Sequence, residues 1–235
     1  EASDIKSTLY VYEHLYSGGK VMYLKNDDTN CVCAFGFRTI PEDSTGVCHI
    51  IEHSTLCGSK KYPLKEPFVN LIKGSLNTFL NAFTASDWTM YPFASQTPKD
   101  FDNILKVYAD AVFAPISVTN NKPFLQEGWH LELLEKDGVP SYKGVVYNEM
   151  KGAFSSPDDV LERAIFNSLF PDTTYGQESG GDPKDIPNLT YENYINTYKK
   201  YLYEFIILSN RFSVLIIKEY MLINKNIIIK IKAYN

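Results

Sequence analysis

The sequence predicts an α+β domain in which a mixed or antiparallel β-sheet is packed on one side by helices. Segments of β-rich composition at residues 9–14, 20–25 and 31–37 open the chain, and segments with helical start and stop signals follow them. A further stretch at residues 77–94 is dense in Phe, Thr, Trp and Tyr, which predicts two more strands. These strands would form the sheet, and the helices would cover one face of it.

The first elements are predicted to form a β-meander. Residues 17–19, Ser-Gly-Gly, form a turn between the first two strands, and the third strand continues the sheet. Residues 41–46 then break the strand pattern and lead into a helix at 47–56. Gly58 is a suitable stop for that helix, because glycine adopts the left-handed conformation common just past a helix end.

Local signals predict the remaining elements. Thr97 and Pro98 are a suitable N-cap and first residue of a helix. The apolar residues that follow recur at helical spacing, which indicates core packing: Phe101, Ile104, Leu105, Tyr108 and Val112. Other helices are expected at residues 67–73, after Pro123, at 144–154, at 157–170 and from Thr190. A turn is expected near residues 86–87, and another strand near 129–135.

Composition and charge narrow the class of protein. Hydrophobic residues make up 44% and charged residues 22% of the 235-residue chain, as in soluble globular proteins. The net charge is −5 and no lysine or arginine stripe is present, so we expect no nucleic-acid partner. No segment reaches the roughly 18 uninterrupted apolar residues of a membrane span, so none is expected.

Cysteine usage and a change in composition bear on the compartment and on the domain organisation. The four cysteines, at positions 31, 33, 48 and 57, form no disulfide framework and no C-x-x-C pair, so we expect reduced thiols in an intracellular compartment. Residues 202–235 are crowded with Ile, Asn, Lys and Tyr and contain no proline or glycine. We therefore predict one domain over residues 1–201, followed by an atypical tail.

The most informative stretch is His49-Ile50-Ile51-Glu52-His53, an H-x-x-E-H pattern on a predicted helix. At about 100° per residue, His53 lies roughly 40° from His49, and Glu52 lies roughly 60° to its other side, so all three share one face. Two imidazoles one turn apart can bind a single Zn²⁺. Glu52 beside them is placed to take a proton from a zinc-activated water as general base.

A competing interpretation is a pair of exposed helical histidines beside an unrelated glutamate. The chain contains only four histidines, and two of them fall in this pattern, which favours the metal site. A catalytic zinc usually takes three protein ligands and keeps one position open. Spacing does not choose the third ligand among the downstream candidates, which are Glu127, His130, Glu132, Glu135, Glu149 and Glu162. Glu149 is attractive because a predicted helix would hold its backbone rigidly.

Several motifs in order along the chain resemble one family. They occupy residues 46–54, 56–63, 73–76, 81–87, 91–93, 126–129, 144–152 and 179–183. With these motifs, residues 7–201 resemble the M16 metallopeptidases, of which H-x-x-E-H is the inverted zinc-peptidase signature, and within them the presequence-protease and falcilysin branch. The fold implied is the M16 metallopeptidase-like α+β domain.

The resemblance also implies roles for individual residues. His49, His53 and Glu149 would be the ligands of one Zn²⁺ per chain, and Glu52 would be the general base. The strand around residues 81–84 would be a sheet edge beside the cleft, to which a substrate peptide adds as an extra strand. The expected substrate-binding residues are therefore Asn81, Ala82, Phe83 and Thr84.

Full members of this branch resemble four homologous domains arranged as two halves around the peptide. This chain resembles the first domain, so a C-terminal half of the same enzyme is the expected partner. The second half supplies Arg and Tyr groups that help to hold substrate. The resemblance also implies a mitochondrion or related organelle as the location.

Three functions follow from these observations. The first is a zinc metalloendopeptidase that hydrolyses short unstructured peptides, such as cleaved targeting peptides. The second is a truncated or inactive M16-like fragment that binds zinc or peptide without turnover unless it is paired with a C-terminal half. The third is a zinc hydrolase of small molecules, against which the aromatic segment at residues 77–93 argues, because it suits an extended polymer.

Overall fold

The computed structural model describes residues 4, 6–14, 19–64, 67–203, 212–217 and 231–233. The elements, in chain order, are β1 (Thr8–His14), β2 (Lys20–Lys25), β3 (Cys31–Phe37), α1 (Val47–Thr55), α2 (Pro67–Gly74), β4 (Asn77–Leu80), β5 (Phe83–Thr84), β6 (Thr89–Ser95), α3 (Pro98–Phe113), α4 (Lys122–Glu127), β7 (His130–Glu132), β8 (Ser141–Lys143), α5 (Val145–Ala153), α6 (Pro157–Leu169), α7 (Tyr191–Tyr198), β9 (Phe212–Ile217) and β10 (Ile231–Ala233). A π-helical turn, Lys199–Tyr203, follows α7.

A mixed sheet forms the centre of the domain. Its strand order is β10-β1-β2-β9-β3-β6-β4, and β5 also pairs with β6. The pair β2–β9 is parallel, whereas the other pairs are antiparallel. A separate two-stranded ribbon, β7–β8, lies off this sheet. The mixed helix and sheet composition confirms the predicted α+β class.

The predicted β-meander is wrong at its third strand. β1 and β2 form the expected hairpin, but β9 lies between β2 and β3, parallel to one and antiparallel to the other. Most of β3 is buried, and an apolar strand in the sheet interior needs a partner on each side. The connection at residues 26–30 must therefore span two strand spacings, roughly 10 Å, which five residues can do.

The two strands of the C-terminal segment join this sheet. β9 pairs with β2 and β3, and β10 pairs with β1. The predicted boundary at residue 201 falls inside the π-helical turn, and the side chains of Tyr201 and Leu202 are buried in the core. The family origin of residues 202–235 stays a prediction.

The core lies where α1 and α3 pack on β3 and β6. The ring of Phe93 on β6 lies 5.3 Å from that of Phe101 and 4.9 Å from that of Tyr108, between ring centroids. Ile104 and Val112 of α3 are fully buried, which confirms the predicted core stripe of this helix. Burying one such side chain contributes about 1.5–3 kcal/mol relative to leaving it in water.

Helix starts follow the sequence signals, whereas one ribbon strand does not. Pro98 begins α3 as expected, and the hydroxyl of Thr190 accepts a hydrogen bond from the Asn193 amide at the start of α7. The strand expected near residues 129–135 is shorter, His130–Glu132, and its partner β8 was not predicted. Ribbon strands of three residues are too short to show a period.

Gly46, immediately before α1, has a backbone conformation and a close contact that only glycine accommodates. Its φ is +68°, and a Cβ atom there would lie 2.6 Å from the Gly180 carbonyl oxygen. A hydrogen bond of 2.8 Å from the Asp182 amide to the Ser44 carbonyl fixes the same approach. The start of α1 is therefore held against residues 180–182, far along the chain.

We expect Gly46→Ala to lower the free energy of unfolding by about 1–3 kcal/mol, because alanine at positive φ is strained and its methyl group meets backbone. Gly152→Ala is the matched control, since a Cβ there would meet nothing within 4 Å and alanine favours helix by up to about 1 kcal/mol. Urea unfolding of zinc-free protein measures both. Equal stability of the two variants would contradict the packing described for Gly46.

Thiol accessibility tests the burial of the cysteines. Burial raises the pKa of the Cys33 and Cys48 thiols to about 12 each; Cys31 is also buried, whereas Cys57 is only half-buried. At pH 8 we expect a disulfide reagent to modify Cys57 rapidly in the folded protein and all four thiols after unfolding. Cys57→Ala should abolish the rapid phase, and rapid modification of a second thiol would show that the core is more open than described.

Candidate metal centre

Helix α1 carries three of the predicted site residues on one face, and its other face packs into the hydrophobic core. Ile50 and Ile51 are buried in the core at 0% and 1% exposure. His49, Glu52 and His53 lie on the side that lines a cavity of about 710 Å³. The helix at Val47–Thr55 agrees with the prediction at 47–56. Its apolar residues thus fix which way the histidines face.

Helix α5 brings Glu149 to the same place. Gly144, before α5, has φ +153°, and a Cβ there would lie 2.0 Å from the Gly128 carbonyl oxygen. This contact sets the start of α5 against the end of α4, and Val146 is fully buried behind it. The Glu149 side chain is 54% exposed and faces the histidines of α1.

The three candidate ligand atoms converge. The Glu149 carboxylate oxygen Oε2 lies 3.8 Å from His49 Nε2 and 3.6 Å from His53 Nε2, and all three ligand atoms are within 4.8 Å of one another. Ligands of a tetrahedral zinc at 2.0–2.1 Å would be about 3.3 Å apart. The group therefore fits a zinc ion after small side-chain adjustments.

The other ring nitrogen of each histidine has a partner. His49 Nδ1 lies 3.0 Å from the Gly180 carbonyl oxygen, which accepts a hydrogen bond from Nδ1–H. His53 Nδ1 lies 3.3 Å from Glu127 Oε2. Hydrogen bonds on Nδ1 are what fixes the tautomer of a histidine that binds metal through Nε2.

Glu52 is buried beside the histidines rather than among the three convergent atoms. It is 7% exposed, and the Thr84 hydroxyl donates a hydrogen bond of 2.8 Å to its Oε2. Burial raises the pKa of the Glu52 carboxyl above its usual value, and the Thr84 hydrogen bond and the neighbouring His53 offset this only in part. A higher pKa makes a carboxylate a stronger base, which suits proton transfer near neutral pH.

The structure also separates the alternatives for the third ligand. Within the residues described, His49, His53 and Glu149 are the one group of three that could hold a metal ion. His130 Nδ1 is 2.7 Å from the Leu125 carbonyl oxygen. Glu135 is exposed, Glu132 lies on the ribbon strand β7, and Glu162 lines a different cavity.

Glu127 is near the metal centre, but its carboxylate contacts Nδ1 of His53 and not Nε2, the nitrogen that faces Glu149. Three donors surround its carboxylate: His53 Nδ1 at 3.3 Å, the Gln126 amide at 2.9 Å and the Cys57 thiol at 3.4 Å. Burial raises its pKa, but these hydrogen bonds outweigh burial and lower the pKa overall. Sequence spacing could not distinguish the two nitrogens of His53, so this position of Glu127 was missed.

The predicted substrate-binding residues line the cavity beside Glu52. Asn81, Ala82, Phe83 and Thr84 all contribute to its wall. Asn81 and Ala82 lie between strands β4 and β5. The backbone N–H of Asn81 donates a hydrogen bond to the Pro92 carbonyl oxygen of β6. Among the described strands, β4 is the last in the sheet order on this side. The predicted sheet edge next to the cleft is therefore present, although it is interrupted at residues 81–82.

Comparison with protein-family models then defines the class. The model for insulinase, peptidase family M16, matches residues 31–182. This range contains the candidate ligands His49, His53 and Glu149 and the buried Glu52. The chain belongs to peptidase family M16. This confirms the family resemblance given by the motifs, and the predicted branch agrees with the relatives that follow.

Among curated proteins, the chain is 55% identical over 199 residues to presequence protease 1, chloroplastic/mitochondrial, of Arabidopsis thaliana, covering 85% of this chain and 18% of that protein. It is 54% identical over 190 residues to protein HypA of Clostridium perfringens, covering 81% of this chain and 20% of the relative. It is 50% identical over 182 residues to the mitochondrial presequence protease of Xenopus tropicalis, covering 76% and 18%. The chain thus spans about a fifth of the length of these relatives.

Solved structures with low sequence identity show the same fold. Pitrilysin superimposes with a TM-score of 0.66 at 18% identity, over 92% of this chain and 21% of that one. A protease from Helicobacter pylori gives 0.69 at 16% identity, over 92% and 47%. Among the described helices, none is long and apolar enough to cross a membrane.

We expect Glu149→Gln to raise the zinc Kd by at least about 100-fold, since losing a ligand should cost more than the 10–100-fold typical of losing an outer partner. Glu162→Gln is the matched control, because Glu162 was an equal candidate by spacing and lies in another cavity. Competition with a chromogenic chelator measures both. Zinc binding that survives in Glu149→Gln but fails in Glu162→Gln would reject the assignment.

Proposed function

We propose that this chain is the zinc-binding domain of a metalloendopeptidase that hydrolyses short unstructured peptides. The observation that carries the proposal is the convergence of His49 Nε2, His53 Nε2 and Glu149 Oε2 beside a buried carboxylate and a sheet edge. Family membership supports the peptidase chemistry, and M16 enzymes are generally zinc-dependent.

The residues divide the chemistry among them. His49, His53 and Glu149 would hold one Zn²⁺, which supplies Lewis acidity to a water molecule and to the peptide carbonyl. Glu52 takes the proton from the attacking water and passes it to the leaving amine. The hydroxyl of Thr84 orients the Glu52 carboxylate through its 2.8 Å hydrogen bond, so Thr84 serves the base as well as the cavity wall.

The edge of the sheet suggests how a substrate binds. An extended peptide can add to β4 and β5 through main-chain hydrogen bonds, with Asn81 and Ala82 near the scissile bond. Phe79 and Phe83 are 44% and 41% exposed, with ring centroids 6.4 Å apart, and offer an apolar contact beside this edge. Cleaved targeting peptides are a suitable substrate class, as the names of the presequence-protease relatives indicate. A small-molecule hydrolase would have no use for this edge.

A second candidate is a fragment that binds zinc or peptide without turnover until a C-terminal half is supplied. Two observations favour it: the chain spans about a fifth of its relatives, and the Glu149 side chain is 54% exposed, so the cavity is open on that side. Peptide cleavage by the chain alone, and again with a separately produced C-terminal half of a relative, distinguishes the two candidates.

We also propose the domain organisation and the location. Residues 1–201 would be the first of four M16 domains, followed by an atypical Ile/Asn/Lys-rich tail, residues 202–235, of doubtful family origin. The location would be a mitochondrion or related organelle, as for the Arabidopsis and Xenopus relatives by name; a bacterial relative also matches. Immunofluorescence of the natural full-length product, together with its intact mass, tests both.

We expect Glu52→Gln to lower the peptide-cleavage rate by about 10²–10⁴-fold, the usual contribution of a general base, while the zinc Kd changes little because Glu52 is not a ligand. The measurement is cleavage of a quenched fluorescent peptide with the C-terminal half present, with and without a chelator. Glu135→Gln is the control, since Glu135 is exposed. An unchanged rate in Glu52→Gln would remove Glu52 from the mechanism.

A further inference from the structure

Glu127 is a buried carboxylate in the cavity wall that the proposed chemistry does not use. It is 7% exposed and lies at the end of α4. Its Oε2 is 3.3 Å from His53 Nδ1, whereas the candidate ligand oxygen of Glu149 is 3.6 Å from the opposite nitrogen, Nε2. The two carboxylates therefore contact the two sides of one imidazole ring.

The hydrogen bonds of Glu127 determine the direction of the bond to His53. An ionised carboxylate can only accept hydrogen bonds, so the proton between the two groups must be on His53 Nδ1. The Gln126 amide and the Cys57 thiol both donate to the other oxygen, Oε1, and so they fix the rotation of the carboxylate. With its proton on Nδ1, a neutral His53 has its lone pair on Nε2, toward Glu149.

Packing holds Glu127 in this position. Phe124, one turn earlier in α4, is buried at 3% exposure with its ring centroid 5.3 Å from that of Tyr194. A Cβ on Gly128 would lie 3.1 Å from a methyl group of Ile50, so the end of α4 lies directly against α1. The distance between Glu127 and His53 is thus set by contact between two helices and not by a mobile loop.

We propose that Glu127 is a positioning residue of the metal centre: it accepts a hydrogen bond from Nδ1–H of His53 and so directs Nε2 of that ring toward the metal. The inference rests on the zinc site proposed above. The Gly180 carbonyl oxygen has the same relation to His49, but it is backbone, so Glu127 is the side chain through which this positioning can be changed.

Substituting glutamine for Glu127 should reverse the hydrogen bond. The amide oxygen of Gln would keep the two donors from Gln126 and Cys57, which leaves its NH₂ group facing His53 Nδ1. That NH₂ is a donor and favours the Nε2–H tautomer, which cannot bind a metal through Nε2. We expect the zinc Kd of Glu127→Gln to rise by about 10–100-fold, and that of the control Glu135→Gln to change less than threefold.

Nitrogen-15 NMR of the histidine rings, on zinc-free protein at a pH where His53 is neutral, supplies the decisive readout. We expect the Nδ1–H tautomer of His53 in the wild type and a shift toward Nε2–H in Glu127→Gln, whereas His49 keeps its tautomer in both. A purely structural role for Glu127 would lower stability without changing a tautomer. The nitrogen-15 resonances of His53 are assigned by their absence from the spectrum of a His53→Gln variant.

Two results would overturn the proposal. One is a wild-type His53 that carries its proton on Nε2, which needs no variant and so decides the matter even if Glu127→Gln does not fold. The other is a folded Glu127→Gln protein whose zinc Kd lies within threefold of the wild type. Failure of the zinc site itself is separate: the wild type would then bind no zinc, while the tautomer of its His53 would still report on Glu127.

Discussion

The position of helix α1 is the constraint on which the rest of the centre depends. Ile50 and Ile51 are held in the core, so the opposite face, with His49, Glu52 and His53, has no freedom to turn away from the cavity. Gly46 fixes where the helix begins, because its Cα approaches the backbone of residues 180–181. One short helix therefore joins the apolar interior to a polar cluster, and each supports the geometry of the other.

Buried polar groups around α1 show how the cluster is kept in place. The Ser54 hydroxyl is 2.6 Å from the Tyr194 hydroxyl, which donates in turn to Ser117. These three residues connect α1 to α7 and to the turn after α3. Hydrogen-bonded groups of this kind cost little when every member is satisfied and are expensive when one is removed. They specify one orientation of the helix where apolar contacts alone would allow sliding.

Much of the fold, and the part of the candidate centre that lies on α1, could be predicted from sequence because both depend on local patterns in the chain. Helix periodicity places His49, Glu52 and His53 on one face without any knowledge of the rest of the chain, and Thr190 marks the start of α7 through its own hydroxyl. The family resemblance, rather than spacing, selected Glu149, since its position depends on how α5 packs against α4. The insertion of β9 between β2 and β3 and the contact of Glu127 with His53 Nδ1 are long-range facts that local patterns do not contain.

The sheet edge at β4 and β5 has a consequence for selectivity. A backbone N–H and C=O are the same in nearly every residue, so a protein that binds its ligand through main-chain hydrogen bonds distinguishes few side chains. In a folded protein those groups are already engaged within its own sheets and helices. Under the proposed function, the edge would select substrates by conformation. It would bind polypeptides that are unfolded and exclude those that are folded, and the amino-acid sequence of the substrate would matter less.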